Sequence, residues 1–129
     1  MVELHCWINL RETCEITEDE NTGNLLPVVR EELEKFELEY YNIQIKGLNG
    51  EYYIEFSIYE NHMASAKEAL SLFSRVGEIA KGSYGLLHIH DDEDEGIQNS
   101  FRTWRLARGK VTVYKDDFLS PYIPTVSDD

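Results

Sequence analysis

Residues 2–10 alternate between apolar and polar side chains. Val2, Leu4, Cys6, Ile8 and Leu10 fall on one side, and Glu3, His5, Trp7 and Asn9 on the other. A period of two predicts a strand with one face covered and one face open. Residues 11–23 lose the pattern in a polar, acidic stretch ending in Asn21-Thr22-Gly23, which reads as a loop. The period then becomes helical. Leu25, Val29, Leu33 and Phe36 make one stripe, with Asn24 as the expected cap, Pro27 tolerated in the first turn and a stop near residues 38–40.

The next signal is a hairpin. Tyr41 to Ile45 alternate, Asn49-Gly50 supplies a two-residue turn, and Tyr52 to Ile58 alternate again. Asn-Gly accepts the positive φ angles that a type I′ turn requires. The second strand sends Tyr52, Ile54, Phe56 and Ile58 to one face, and Tyr53, Glu55, Ser57 and Tyr59 to the other. Residues 63–81 form a second helical stripe of Ala66, Ala69, Leu70, Phe73, Val76 and Ala80, closed by Gly82. Gly77 inside that stripe suits close packing. A strand over residues 84–90 puts Leu87 and Ile89 on one face and Leu86, His88 and His90 on the other. Phe101 to Ala107 then turns at Arg108-Gly109 into Val111 to Tyr114.

The order is β-α-β-β-α-β with an added C-terminal β-hairpin. For 129 residues this predicts one domain, 1–129, of the α+β class. The expected architecture is a two-layer sandwich: one antiparallel sheet with two helices on one face, in the ferredoxin-like βαββαβ order. The opposite sheet face then carries His5, Trp7, Tyr53, Glu55, Tyr59, His88 and His90, joined by Arg105 or Trp104. Amphipathic aromatics of this kind are enriched where a ring fills a partner's pocket and its polar tip finds a hydrogen bond. The alternative is that the C-terminal hairpin or the proline-containing tail folds over this face.

Charge narrows the function. Twelve Lys and Arg against 25 Asp and Glu leave a net charge of −13. That argues against direct nucleic-acid binding, because the phosphate backbone is itself a polyanion, and it favours a partner with a basic surface. Acidity is concentrated: residues 15–39 carry nine acids and two bases, and Asp91, Asp92, Glu93, Asp94 and Glu95 are consecutive. Residues 101–115 carry five bases and no acid. No apolar run reaches the length of a membrane span. No secretory signal is visible at the N-terminus, so the chain reads as cytoplasmic, with Cys6 and Cys14 reduced.

Catalytic chemistry finds little support. The sequence lacks a Gly-x-Ser-x-Gly elbow, a P-loop lysine and a Gly-x-Gly-x-x-Gly loop. His88-Ile89-His90-Asp91-Asp92 is the strongest metal-like motif, and it partly resembles His-x-His-x-Asp-His of metallo-β-lactamase-type hydrolases. It departs from that motif at Glu93, where the last histidine belongs. A small metal-binding protein or metal-dependent hydrolase using His88, His90 and Asp92 is therefore the second reading. The first is a non-enzymatic binding protein without a cofactor.

Three blocks carry a family resemblance. Ser83-Tyr84-Gly85-Leu86-Leu87-His88-Ile89-His90-Asp91-Asp92-Glu93-Asp94 resembles the central block of the immunity protein 7 family. Asp117-Phe118-Leu119-Ser120-Pro121-Tyr122-Ile123-Pro124-Thr125 resembles its C-terminal block. His5-Cys6-Trp7-Ile8 is similar to its start, with Cys6 where the family is expected to carry Gly. The resemblance implies an α+β bacterial antidote, encoded beside a polymorphic toxin, that binds the cognate toxin domain. Nuclease toxins, with basic clefts for phosphate, suit an acidic antidote. The expected contact residues are His5, Trp7, Tyr53, Tyr59, His88 and His90, together with Asp91, Asp92, Glu93, Asp94 and Glu95. An exposed aromatic face also suits a homodimer, so monomer and homodimer both stay open.

Overall fold

The computed structural model describes residues 2–12, 25–35, 43–60, 64–91, 101–116 and Phe118. In chain order the elements are β1 (Val2–Leu10), α1 (Leu26–Glu34), β2 (Gln44–Leu48), β3 (Glu51–Glu60), α2 (Ala64–Ile79), β4 (Tyr84–Asp91), β5 (Phe101–Ala107) and β6 (Lys110–Asp116). The six strands form one antiparallel sheet in the order β2-β3-β1-β4-β5-β6. The class is α+β, with two helices. The C-terminal hairpin does not fold over the sheet. It pairs along the outer edge of β4 and satisfies backbone groups that would otherwise stand open there. The sheet is therefore six-stranded, with β2-β3-β1-β4 as one run and the β5-β6 hairpin added at the β4 edge.

The strand alternation is realised as burial. Val2, Leu4, Cys6, Ile8 and Leu10 of β1 are all buried in one cluster with Ile54, Phe56 and Ile58 of β3, Leu87 and Ile89 of β4, and Leu106 of β5. Val29 and Leu33 of α1 join this cluster, as do Ala69, Leu72, Phe73, Val76 and Ala80 of α2, so both helices pack on this face. Each fully buried Leu, Ile or Phe contributes about 1.5–3 kcal/mol through removal of apolar area from water. The α2 stripe is rotated from the expected one, with Leu72 fully buried and Leu70 only packed against the cluster. Gly77 explains how α2 approaches β5 so closely, because a Cβ there would run into Leu106.

Local chemistry fixes the element ends. Both hairpins turn through two residues at positive φ, Asn49 (53°) and Gly50 (80°) in the first and Arg108 (54°) and Gly109 (74°) in the second. This is the type I′ signature that matches strand twist. Helix α1 is capped by Leu25, itself in helical conformation and without a side-chain cap, instead of by Asn24, which lies outside the described residues with Phe36. Pro27, at the second helical position, has no N–H to leave unsatisfied. After α2, Ser83 Oγ accepts from Arg11 N (3.0 Å), and Gly82 N donates to Arg11 O (3.1 Å). These bonds tie the end of α2 to the end of the central strand. Among the described residues, no helix is long and apolar enough to cross a membrane.

Candidate interaction face

The pairing register maps the face that the helices leave open. Reading across from β3 to β6, one row is Tyr53, Asn9, Tyr84, Ala107 and Lys110. The next is Glu55, Trp7, Leu86, Arg105 and Thr112, and the third is Ser57, His5, His88, Thr103 and Tyr114. Tyr59, Glu3 and His90 begin the last row, on which Phe101 and Asp116 pair with each other. The sheet thus brings together all six expected aromatic and histidine positions. Arg105, and not Trp104, belongs with them: Trp104 shares the helix-side face and packs against the core. Asp92 to Glu95 lie outside the described residues, and Asp91 is described only as the last residue of β4.

Their environments differ. Trp7 (37% exposed) and Tyr59 (59%) are the most open. Trp7 meets Tyr84 edge-on, with ring centroids 6.0 Å apart, and His5 meets Tyr59 edge-on at 5.7 Å. These T-shaped contacts hold the rings without covering them, a favoured quadrupole geometry. His5 is further fixed by Glu3 Oε1 at 3.0 Å from its Nε2 and Ser57 Oγ at 3.2 Å from its Nδ1. Tyr53 donates to Glu51 Oε2 at 2.8 Å, which pushes its phenol pKa upward, because the carboxylate holds the proton in place. His90 is buried, its ring tilted against Phe101 at 5.3 Å, so it is a packed residue of this face and not an open one.

His88 belongs to a network that its own strand does not reveal. Thr103 Oγ1 donates to Asp116 Oδ2 at 2.7 Å, and His88 Nδ1 lies 3.0 Å from the same oxygen and 2.9 Å from Thr103 Oγ1. An Nδ1–H donated to the carboxylate fixes the tautomer, leaving Nε2 as the other ring nitrogen. Asp116 Oδ1 accepts from Phe118 N at 3.0 Å. Asp116 is buried and crosses diagonally from β6 to reach β4. Sequence reading missed it because the last strand was ended at Tyr114. The two-residue turn at Arg108-Gly109 already implied that continued pairing would set Asp116 against Phe101.

The face is polarised. On one side, His5, Trp7, Gln44, Glu55 and Ser57 line a concavity of about 440 Å³, with Lys46 Nζ 2.8 Å from Glu55. On the other, Arg105, Ala107, Arg108, Lys110 and Thr112 line one of about 480 Å³. Cys6 is a free thiol whose pKa is raised well above the ordinary range by burial, which suppresses the reactive thiolate. Among the described residues, no group of three His, Cys, Asp or Glu side chains is placed to hold a metal ion. His88 directs Nδ1 to Asp116, and Asp92 of the alternative metal set is outside the described residues.

A family model described as Immunity protein 7 covers residues 1–128. No curated protein and no solved structure matches the chain.

Proposed function

Because the chain belongs to the immunity protein 7 family, we propose that it binds and neutralises a cognate toxin domain through the open sheet face, without catalysis. The observation that carries this reading is the register, which collects Trp7, Tyr59, Tyr53, His5 and His88 on the sheet face opposite the two helices. Trp7 and Tyr59 act as anchors, and the hydrogen-bonded histidines supply oriented polar contacts. The acidic segment Asp91, Asp92, Glu93, Asp94 and Glu95, which begins where β4 ends, supplies carboxylates for Arg and Lys of the partner. With a net charge of −13 the field attracts a basic surface from a distance. A nuclease, with a cleft built for phosphate, is the toxin chemistry that this surface suits best.

The test uses the C-terminal domain of the toxin encoded beside this gene. Co-expression should rescue growth and co-purify the pair. Trp7→Ala should speed dissociation by an amount worth ~2 kcal/mol or more, the scale of a buried aromatic anchor. Neutralising Asp91, Asp92 and Asp94 together should slow association and flatten its salt dependence. If both variants protect cells and bind like the parent, the face is placed wrongly. If the parent neither binds nor protects, the function itself is wrong.

A further inference from the structure

The chain's acidity hides a basic site on the same face. Arg105, Arg108 and Lys110 line the concavity of about 480 Å³ at the β5–β6 end of the sheet, with the Thr112 hydroxyl among them. Arg105 and Lys110 are diagonal neighbours, since Arg105 pairs with Thr112 and Ala107 with Lys110. At that spacing long side chains are within reach of each other, and like charges repel. Among the described residues none of the three has an ion-pair partner.

The turn sharpens the point. The sheet contains two type I′ turns, and the first uses Asn49-Gly50, the pair whose side chains tolerate positive φ best. The second puts Arg108 at φ 54° where Asn would be easier. A cation is thus held in an unfavourable backbone conformation, next to two others, on the rim of a concavity. Backbone positions in sparsely populated regions cluster at functional sites, and this one sits beside Arg105 and Lys110.

We propose that this concavity takes a carboxylate-bearing segment of the toxin. The interface is then bipolar: basic groups of the partner meet the Glu55 side of the face and acidic groups meet Arg105, Arg108 and Lys110. This rests on the proposed function above and adds the chemistry of a second contact. Nucleic acid is the less suitable occupant, because a long polyanion feels the whole −13 charge. A short acidic segment feels mainly what lies within a Debye length of roughly 8 Å.

R108N and the double variant R105E/K110E separate the outcomes, with the purified toxin domain and a 20-base-pair DNA duplex as probes. R108N should melt no lower than the parent and bind the toxin domain about tenfold more weakly, while R105E/K110E should lose about a hundredfold or more, the range seen for charge-pair loss at interfaces. DNA should not bind any of the three proteins. Gly109 lies close to Gly77 O at the end of α2, so Arg108 could instead serve that helix end, and a lower melting temperature for R108N would show this and overturn the proposal. Parent-like toxin binding by both variants would overturn it too, as would DNA binding abolished by R105E/K110E. A parent protein that fails to bind the toxin domain at all would count against the immunity reading.

Discussion

Asp116 is the residue whose loss should be felt furthest from its own strand. Its carboxylate accepts from Thr103, His88 and the backbone of Phe118, so it fastens β6 to β5, β4 and the start of the C-terminal segment. Asp116→Ala leaves the Thr103 hydroxyl without its acceptor, and leaves His88 Nδ1 with Thr103 Oγ1, 2.9 Å away, in place of the carboxylate. A hydrogen bond to a charged group contributes about 1.5–3 kcal/mol. Thr103 and His88 are half-buried and regain part of this from water, so the two side-chain bonds together come to about 2–3 kcal/mol. For 129 residues, the usual unfolding entropy converts this to a fall in melting temperature of roughly 9 °C.

Two readouts distinguish a network from a mere contact. Thermal and urea unfolding measure the loss. Nitrogen NMR of the His88 ring reports the tautomer, which Asp116 holds with the proton on Nδ1. Asp116→Asn keeps one acceptor oxygen but presents an N–H₂ to donors, so it should lose the tautomer preference with a smaller stability change. If Asp116→Ala stays within 0.5 kcal/mol of the parent, a figure typical of ordinary surface changes, and the His88 tautomer does not move, the reasoning fails.

Two further expectations concern the core. Gly77→Ala gains about 1 kcal/mol of helix propensity, but its methyl meets the buried Leu106, and overpacking typically costs about 1–3 kcal/mol. It should therefore destabilise the parent, yet stabilise Leu106→Val, which urea unfolding of the double-mutant cycle would show. Cys6 is buried, with its thiol pKa raised above the unfolded value, so its neutral form contributes stability that is complete below the ordinary thiol range and lost as pH rises beyond it. The parent should lose stability on the alkaline side more steeply than Cys6→Ala, and Cys6 should resist thiol reagents until the protein unfolds.

Period-two and helical spacing made the core legible, because burial follows directly from which face a side chain leaves. Val2, Leu4, Ile54, Phe56, Leu87 and Val76 were placed correctly for that reason. The turns were legible because Asn-Gly names its own geometry and Gly109 marks the second turn. The place of the last hairpin was not, since nothing local to Phe101–Asp116 says whether it extends a sheet or covers one. The same gap hid the link between His88 and Asp116, which needs the pairing of three strands. It also hid the burial of His90, which depends on Phe101 across a strand boundary.

The two kinds of charge on the open face bear on selectivity as well as attraction. A uniformly acidic surface would draw every basic protein it met with similar force, nucleic-acid-binding proteins included. Discrimination requires an element that penalises the wrong partner. Arg105, Arg108 and Lys110 supply one, since a basic surface laid across the whole face would bring its own cations against them. Only a partner whose charge reverses along the β3-to-β6 direction satisfies both ends. In the proposed interface Trp7 and Tyr59 lie near the Glu55 end, so short-range affinity and charge register would be set by neighbouring strands of one sheet. Sliding or rotating the partner then loses both together.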